Sequence, residues 1–202
     1  MQTVTWWQSW ALKRVPSASL YLADPNALPE EVQNLMGVQQ HATYHPEGDA
    51  FVHTLCVVDE AAAIARREQL SEEQTIVLVL AALCHDLGKP STTTRNEAGN
   101  WVAPSHDKAG KPLTLTFLGR VGFDLPFAER VAELVARHMA HTSVVGEPSR
   151  RMVERLHRKL TAVGSSIQEL AYLVEADASG RPPLAKRLPP AFARIVAAAP
   201  PS

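Results

Sequence analysis

Cysteine, aromatic side chains, net charge and long apolar runs are all scarce in this 202-residue chain, and each shortage excludes something. Two cysteines, Cys56 and Cys84, cannot build a disulfide framework. Both sit inside apolar stretches, Leu55-Cys56-Val57-Val58 and Ala81-Ala82-Leu83-Cys84, so a reducing, cytoplasmic setting is expected. A formal net charge of -1 supplies no molecule-wide field to draw in nucleic acid or an anionic membrane, so any such partner must be held locally. The longest unbroken apolar run, Ile76 to Cys84, is about half of what a membrane-spanning helix needs. The opening MQTVTWWQSWALKRVP lacks the basic segment and apolar core of an export signal, so neither anchor nor leader is expected. What is present is ordinary: 46% hydrophobic and 20% charged residues describe a folded chain of the size one core supports.

Helical signals recur along the chain and strand signals do not. Asp49, after His45-Pro46-Glu47-Gly48, is placed to cap an Ala- and aliphatic-rich helix running to Arg67. Ser71-Glu72-Glu73-Gln74 has the form of a capping box, opening a second helix that is apolar from Ile76 to Cys84 and meets its stop signals at Gly88 and Pro90. Further helices are predicted over 108–121, 126–138, 150–163 with Ser149 as cap, and from Ile167 after a second capping box, Ser166-Ile167-Gln168-Glu169. The fold class is therefore all-α. The expected divisions are a Trp-rich extension over 1–29 packed on the domain, the domain itself over 30–181, and a Pro/Ala-rich segment over 182–202 that wraps the surface before a short last helix. Charge is divided unevenly, about -6 on residues 1–101 and about +5 on 102–202. Arg150, Arg151, Arg155, Arg158 and Lys159 form the densest basic cluster, readable as a solvated helix face or as an RNA contact.

Chemistry concentrates in the histidines. His85-Asp86 closes the most apolar helix just before Leu87-Gly88-Lys89, and an ionised carboxylate there is costly unless a cation pairs with it. The negative end of the helix dipole favours the same cation. A second His-Asp pair, His106-Asp107, follows a polar loop, so Asp107 reads as a surface or capping residue and His106 alone is retained.

The ordered set His53, His85-Asp86, His106, His138 and Asp177 resembles the HD metal-dependent phosphohydrolase superfamily. The segments His45 to Asp49, Val52-His53-Thr54, Leu83 to Pro90, His106 to Gly110, His138 to His141, Glu175-Ala176-Asp177 and Gly180-Arg181 are similar to the HD domain of bacterial tRNA CCA-adding enzymes. That resemblance covers roughly residues 30 to 195. The nucleotidyltransferase head of those enzymes carries a glycine-rich nucleotide-binding segment and an Asp-x-Asp pair, and neither is found here, so a stand-alone HD helical bundle without nucleotide addition is expected.

The resemblance implies that His53, His85, Asp86 and Asp177 enclose one ion. For His106 and His138 it leaves two roles open: holding a second ion with Asp86 bridging, or binding phosphate and transferring a proton. Imidazole and carboxylate donors suit Ni, Co, Mn, Fe or Zn better than Mg or Ca. Lys89, just past Gly88, is a candidate partner for a phosphoryl oxygen, or else an ordinary loop lysine. His45 and His141 are weaker candidates, and Glu175 and Arg181 weaker still because charges at helix ends are usually exposed. The expected function is metal-dependent hydrolysis of phosphoesters, with 2′,3′-cyclic nucleotides, nucleoside monophosphates or a tRNA or RNA end as substrate and no membrane partner. The alternatives are a non-catalytic HD module binding nucleotide or RNA, and a di-iron oxygenase.

Overall fold

The computed structural model describes residues 28–200, so the proposed packing of the N-terminal extension lies almost wholly outside the described residues. Nine helices occur among them: α1 (Glu30–Gln33), α2 (Ala50–Arg67), α3 (Glu72–Cys84), α4 (Lys89–Thr92), α5 (His106–Arg120), α6 (Leu125–Arg137), α7 (Arg150–Thr161), α8 (Ile167–Ser179) and α9 (Pro190–Ala197). The all-α class holds. One small departure is an antiparallel pair of two-residue strands, β1 (Thr94–Arg95) and β2 (Trp101–Val102), joined by a turn at Asn96 to Asn100. They are too short to carry a period-two pattern, so nothing in the sequence announces them.

Helix α3 is the centre of the bundle. All nine residues from Ile76 to Cys84 are buried, because α2, α6 and α8 surround it and no side of it meets water. Its neighbours show the one-sided pattern instead: α7 buries Val153, Leu156 and Leu160 and exposes its arginines. The short last helix joins the same core through Phe192 and Ile195, both fully buried.

The helix starts follow the capping chemistry. Asp49 accepts from the Val52 amide, and Ser71 and Gln74 form a reciprocal capping box. At Ser166 only half of the predicted box is made: its hydroxyl accepts from the Glu169 amide, while the Glu169 carboxylate turns to Ser165 and Arg130. The predicted stop at Gly88 needs correction. Helix α3 ends at Cys84, and Gly88 is the N-cap of α4 with Pro90 inside its first turn. Gly88 is required for space rather than for an unusual dihedral, since a Cβ there would lie 2.2 Å from the His106 carbonyl oxygen and 2.8 Å from the Gly110 amide. The turn after His85-Asp86 is thus pressed directly against the first turns of α5.

Glu133 on α6 is a buried carboxylate held by Lys111 from α5 and by Arg137 Nε at 2.7 Å. Burial raises its pKa, but the bonds from Lys111 and Arg137 outweigh that and hold it below the usual glutamate value. A lowered folded-state pKa means the stabilisation is present above the unfolded value and is lost as pH falls through the folded one. Glu133→Gln should therefore cost about 1.5–3 kcal/mol at neutral pH and progressively less in acid. Urea unfolding of both proteins at several pH values measures this, and a difference that does not shrink at low pH would contradict it.

Candidate metal centre

Four elements deliver imidazoles to one buried point. His85 and His138 are the C-cap residues of α3 and α6, where backbone carbonyls lack helical partners. Each ring turns back on its own helix, with Nδ1 2.7 Å from the carbonyl of Ala82 and of Val135 respectively. His106 does the same at the start of α5: Ser105 takes the left-handed region at φ 59, and His106 Nδ1 lies 2.7 Å from the Ala103 carbonyl. A carbonyl only accepts, so each Nδ1 carries the proton and each Nε2 presents a lone pair. His53, in the first turns of α2, is held from both sides: Nδ1 lies 2.8 Å from Glu47 Oε1 and 3.2 Å from the Gly180 carbonyl, and Nε2 lies 3.1 Å from Asp177 Oδ1, so that against its burial the bonds to Asp177 and Glu47 raise its pKa.

These imidazoles converge on Asp86. Its Oδ2 lies 3.2 Å from His85 Nε2 and 3.9 Å from His53 Nε2, while Oδ1 lies 3.3 Å from His106 Nε2. His106 Nε2 and His138 Nε2 are 3.1 Å apart. Acceptors facing acceptors at such distances repel unless a cation lies among them. The residues therefore fit a metal: His53, His85 and Asp86 form one set of converging donors, and Asp86, His106 and His138 a second. Both Asp86 oxygens and His85 Nε2 are buried without a hydrogen bond of good geometry, as atoms reserved for coordination would be. The near cation is Lys89, whose Nζ is 2.6 Å from Asp86 Oδ2 but outside hydrogen-bonding line, and which also donates to Gln40 Oε1.

The electrostatics match this arrangement. Burial alone would raise the Asp86 carboxyl, yet the cationic charge around it, with the Lys89 ammonium 2.6 Å from Oδ2, holds it well below the usual range, so it is ionised. Burial, reinforced by His106 and His85, pushes His138 down to about 3, so its imidazole is neutral and free to ligate. Asp177, from the last turn of α8, is 3.1 Å from His53 Nε2 and 2.6 Å from Arg181 Nη2. It reaches the centre through His53 rather than as a member of either donor triad.

Of the six predicted metal-site residues, five therefore supply the two triads and Asp177 lies beside them. Lys89 lines the same cavity, of about 210 Å³, with Gln40, Tyr44, His45, Trp101 and Arg181 on its walls. Two residues are more involved than the sequence indicates. Arg181 is not an exposed helix-end charge: it is half-buried, because Asp177 one helical turn earlier holds it against the cavity. Glu47 is the other: its side chain is buried between His45 Nδ1 at 2.9 Å and His53 Nδ1. The signal for it was the tight turn Pro46-Glu47-Gly48 ahead of the Asp49 cap, with Gly48 at φ 130 folding the carboxylate back under α2. Glu175 is off the centre, paired with Arg67. The hydroxyls of Ser91 and Thr92 donate to the Gly88 carbonyl, so they act as turn-formers.

Comparison with known sequences agrees with this architecture. The profile of the HD domain matches residues 50–199, and the chain belongs to the HD domain family, the metal-dependent phosphohydrolase superfamily. Its HD region is also similar to curated relatives named multifunctional CCA protein. One from Pasteurella multocida (strain Pm70) is 34% identical over 131 residues, which are 64% of this chain and 29% of the relative. One from Acidovorax sp. (strain JS42) is 31% identical over 170 residues, covering 83% and 37%. One from Xylella fastidiosa (strain 9a5c) is 32% identical over 173 residues, covering 82% and 39%. The chain thus spans well under half the length of these relatives. Among its described residues, no helix is long and apolar enough to cross a membrane.

Proposed function

We propose that this protein hydrolyses phosphoester bonds of nucleotides or RNA ends with the help of one or two divalent transition-metal ions. The observation that carries the reading is Asp86: a buried, ionised carboxylate whose two oxygens face two different groups of histidine Nε2 atoms. His53, His85 and Asp86, with Asp177 alongside, would hold one ion, and Asp86, His106 and His138 a second. A metal bound there supplies Lewis acidity and an activated water.

The chain's own residues do the rest. Lys89, on the cavity wall, neutralises a phosphoryl oxygen, and Gln40 fixes its ammonium in place. Arg181 adds a second cationic group, oriented by Asp177. Glu47 and the backbone carbonyls of Ala82, Ala103 and Val135 keep the imidazoles in one orientation. The cavity, of about 210 Å³, admits a compact phosphate.

The name of these relatives, multifunctional CCA protein, supports an RNA-end or nucleotide substrate without selecting one. The test is elemental analysis followed by a panel of 2′,3′-cyclic nucleotides, nucleoside monophosphates, an aryl phosphate and structured RNA under Ni, Co, Mn, Fe and Zn. Turnover of the cyclic nucleotides or monophosphates is expected. Absence of any small-phosphoester turnover under every metal, with nucleotide or RNA bound instead, would replace this reading by a binding module. Bound iron with an absorbance change on exposure to O₂ would replace it by an oxygenase.

A further inference from the structure

A second cavity, also of about 210 Å³, opens on the outer side of the metal centre and is lined by Asp107, Lys108, Arg137, Met139, Arg155 and Lys159, over a floor containing Met152 and Leu156. Its position follows from helix geometry. Neighbouring residues on a helix point about 100° apart, so the ends that turn His106 and His138 inward turn Lys108 and Arg137 outward. Met139 lines both cavities, which places them side by side.

The charge of this groove is one-sided. Lys108, Arg155 and Lys159 are exposed and make no ion pair among the described residues, and although Arg66, Arg151, Arg158 and Arg187 are likewise exposed and without an ion pair, these three line one cavity. Arg137 shares Glu133, and Asp107 is the one carboxylate on the groove wall. Arg155 and Lys159 are four residues apart on α7 and lie on one face, above the buried Leu156 and Leu160. In a protein of net charge -1 this is a local accumulation rather than part of a general field.

We propose that this groove binds the sugar-phosphate backbone of an RNA strand whose terminal phosphate occupies the metal centre. The proposal rests on the phosphohydrolase reading for what lies at the strand's end. Unpaired cations in a row track a polyanion, and the Met139, Met152 and Leu156 floor offers adaptable apolar contact to sugars and bases. An acidic peptide would satisfy the cations, but it would gain nothing from a groove that lies beside a phosphate centre. The end of an oligonucleotide is then a better substrate than a free mononucleotide, and chain length becomes a determinant of efficiency.

The test uses Arg155→Gln/Lys159→Gln, two exposed positions that line the groove and not the metal-site cavity, in the full chain. Binding of a 5′-fluorescein single-stranded octaribonucleotide is followed by anisotropy across a salt series, with polyglutamate as competitor. Hydrolysis of that octamer carrying a 2′,3′-cyclic end is compared with hydrolysis of the cyclic mononucleotide. For the double variant we expect at least a tenfold rise in Kd for the octamer. Its log Kd against log salt slope should fall by about 1.4, two contacts at roughly 0.7 each. Its mononucleotide turnover should equal that of the unaltered protein. Arg155→Lys/Lys159→Arg should restore octamer binding. Equal octamer binding by the unaltered and double-variant proteins overturns the groove, as does polyglutamate displacing the octamer at equal charge concentration. If mononucleotide turnover is absent in both while the difference in binding stands, the hydrolytic reading fails and the groove survives.

Discussion

Asp86→Ala is expected to remove the bound metal and to lower kcat/KM for any phosphoester substrate by at least about 10³-fold, which corresponds to roughly 4 kcal/mol of transition-state stabilisation. No other carboxylate belongs to both donor triads, and its oxygens lie within 3.3 Å of histidines from two different groups. Losing it leaves His53 and His85 without a shared anion on one side, and His106 and His138 without one on the other. The helices should survive, because the core around α3 is made by Ile76 to Cys84 and does not include the carboxylate. Asp86→Asn, which keeps the volume, should lose metal and activity equally and separates a chemical effect from a packing one. Elemental analysis and circular dichroism measure both. Full metal occupancy in either variant would overturn the assignment of Asp86.

Gly88→Ala is expected to be the most damaging small substitution outside the ligands, costing about 3 kcal/mol or more. The added Cβ would meet backbone on two sides, the His106 carbonyl oxygen at 2.2 Å and the Gly110 amide at 2.8 Å, and neither can rotate away. Relief requires the turn after Asp86 to move off the start of α5, which separates Asp86 from His106. Stability and metal affinity should therefore fall together. Gly119→Ala on the same α5 is the internal control: nothing lies within 4 Å of its Cβ position, so alanine should be neutral or stabilise by up to about 1 kcal/mol. Thermal denaturation with and without metal distinguishes the two, and a Gly88→Ala protein as stable as the parent would refute the contact.

What the sequence determined by itself was local. Capping chemistry at Asp49, Ser71 and Ser149 and the unbroken apolar run through α3 act over a few helical turns, and they read out as helices near the expected boundaries. The His85-Asp86 pair stands out because a carboxylate at the end of a buried helix is costly without a cation, a statement that needs no tertiary information, whereas His53, His106, His138 and Asp177 are singled out by the resemblance to the HD superfamily. The tertiary structure decided everything that joins distant segments. That Glu47 bonds His53, that Arg181 is held by Asp177 rather than exposed, and that Gly88 is needed for contact with His106 are all consequences of packing α2, α3, α5 and α8 together. The same holds for the second cavity, where Lys108, Arg137 and Arg155 come from three helices and look like separate surface charges in the chain. A side chain's local pattern records which way its own helix faces, but its partners across the bundle are set by how the helices pack, and one-dimensional spacing carries no term for that.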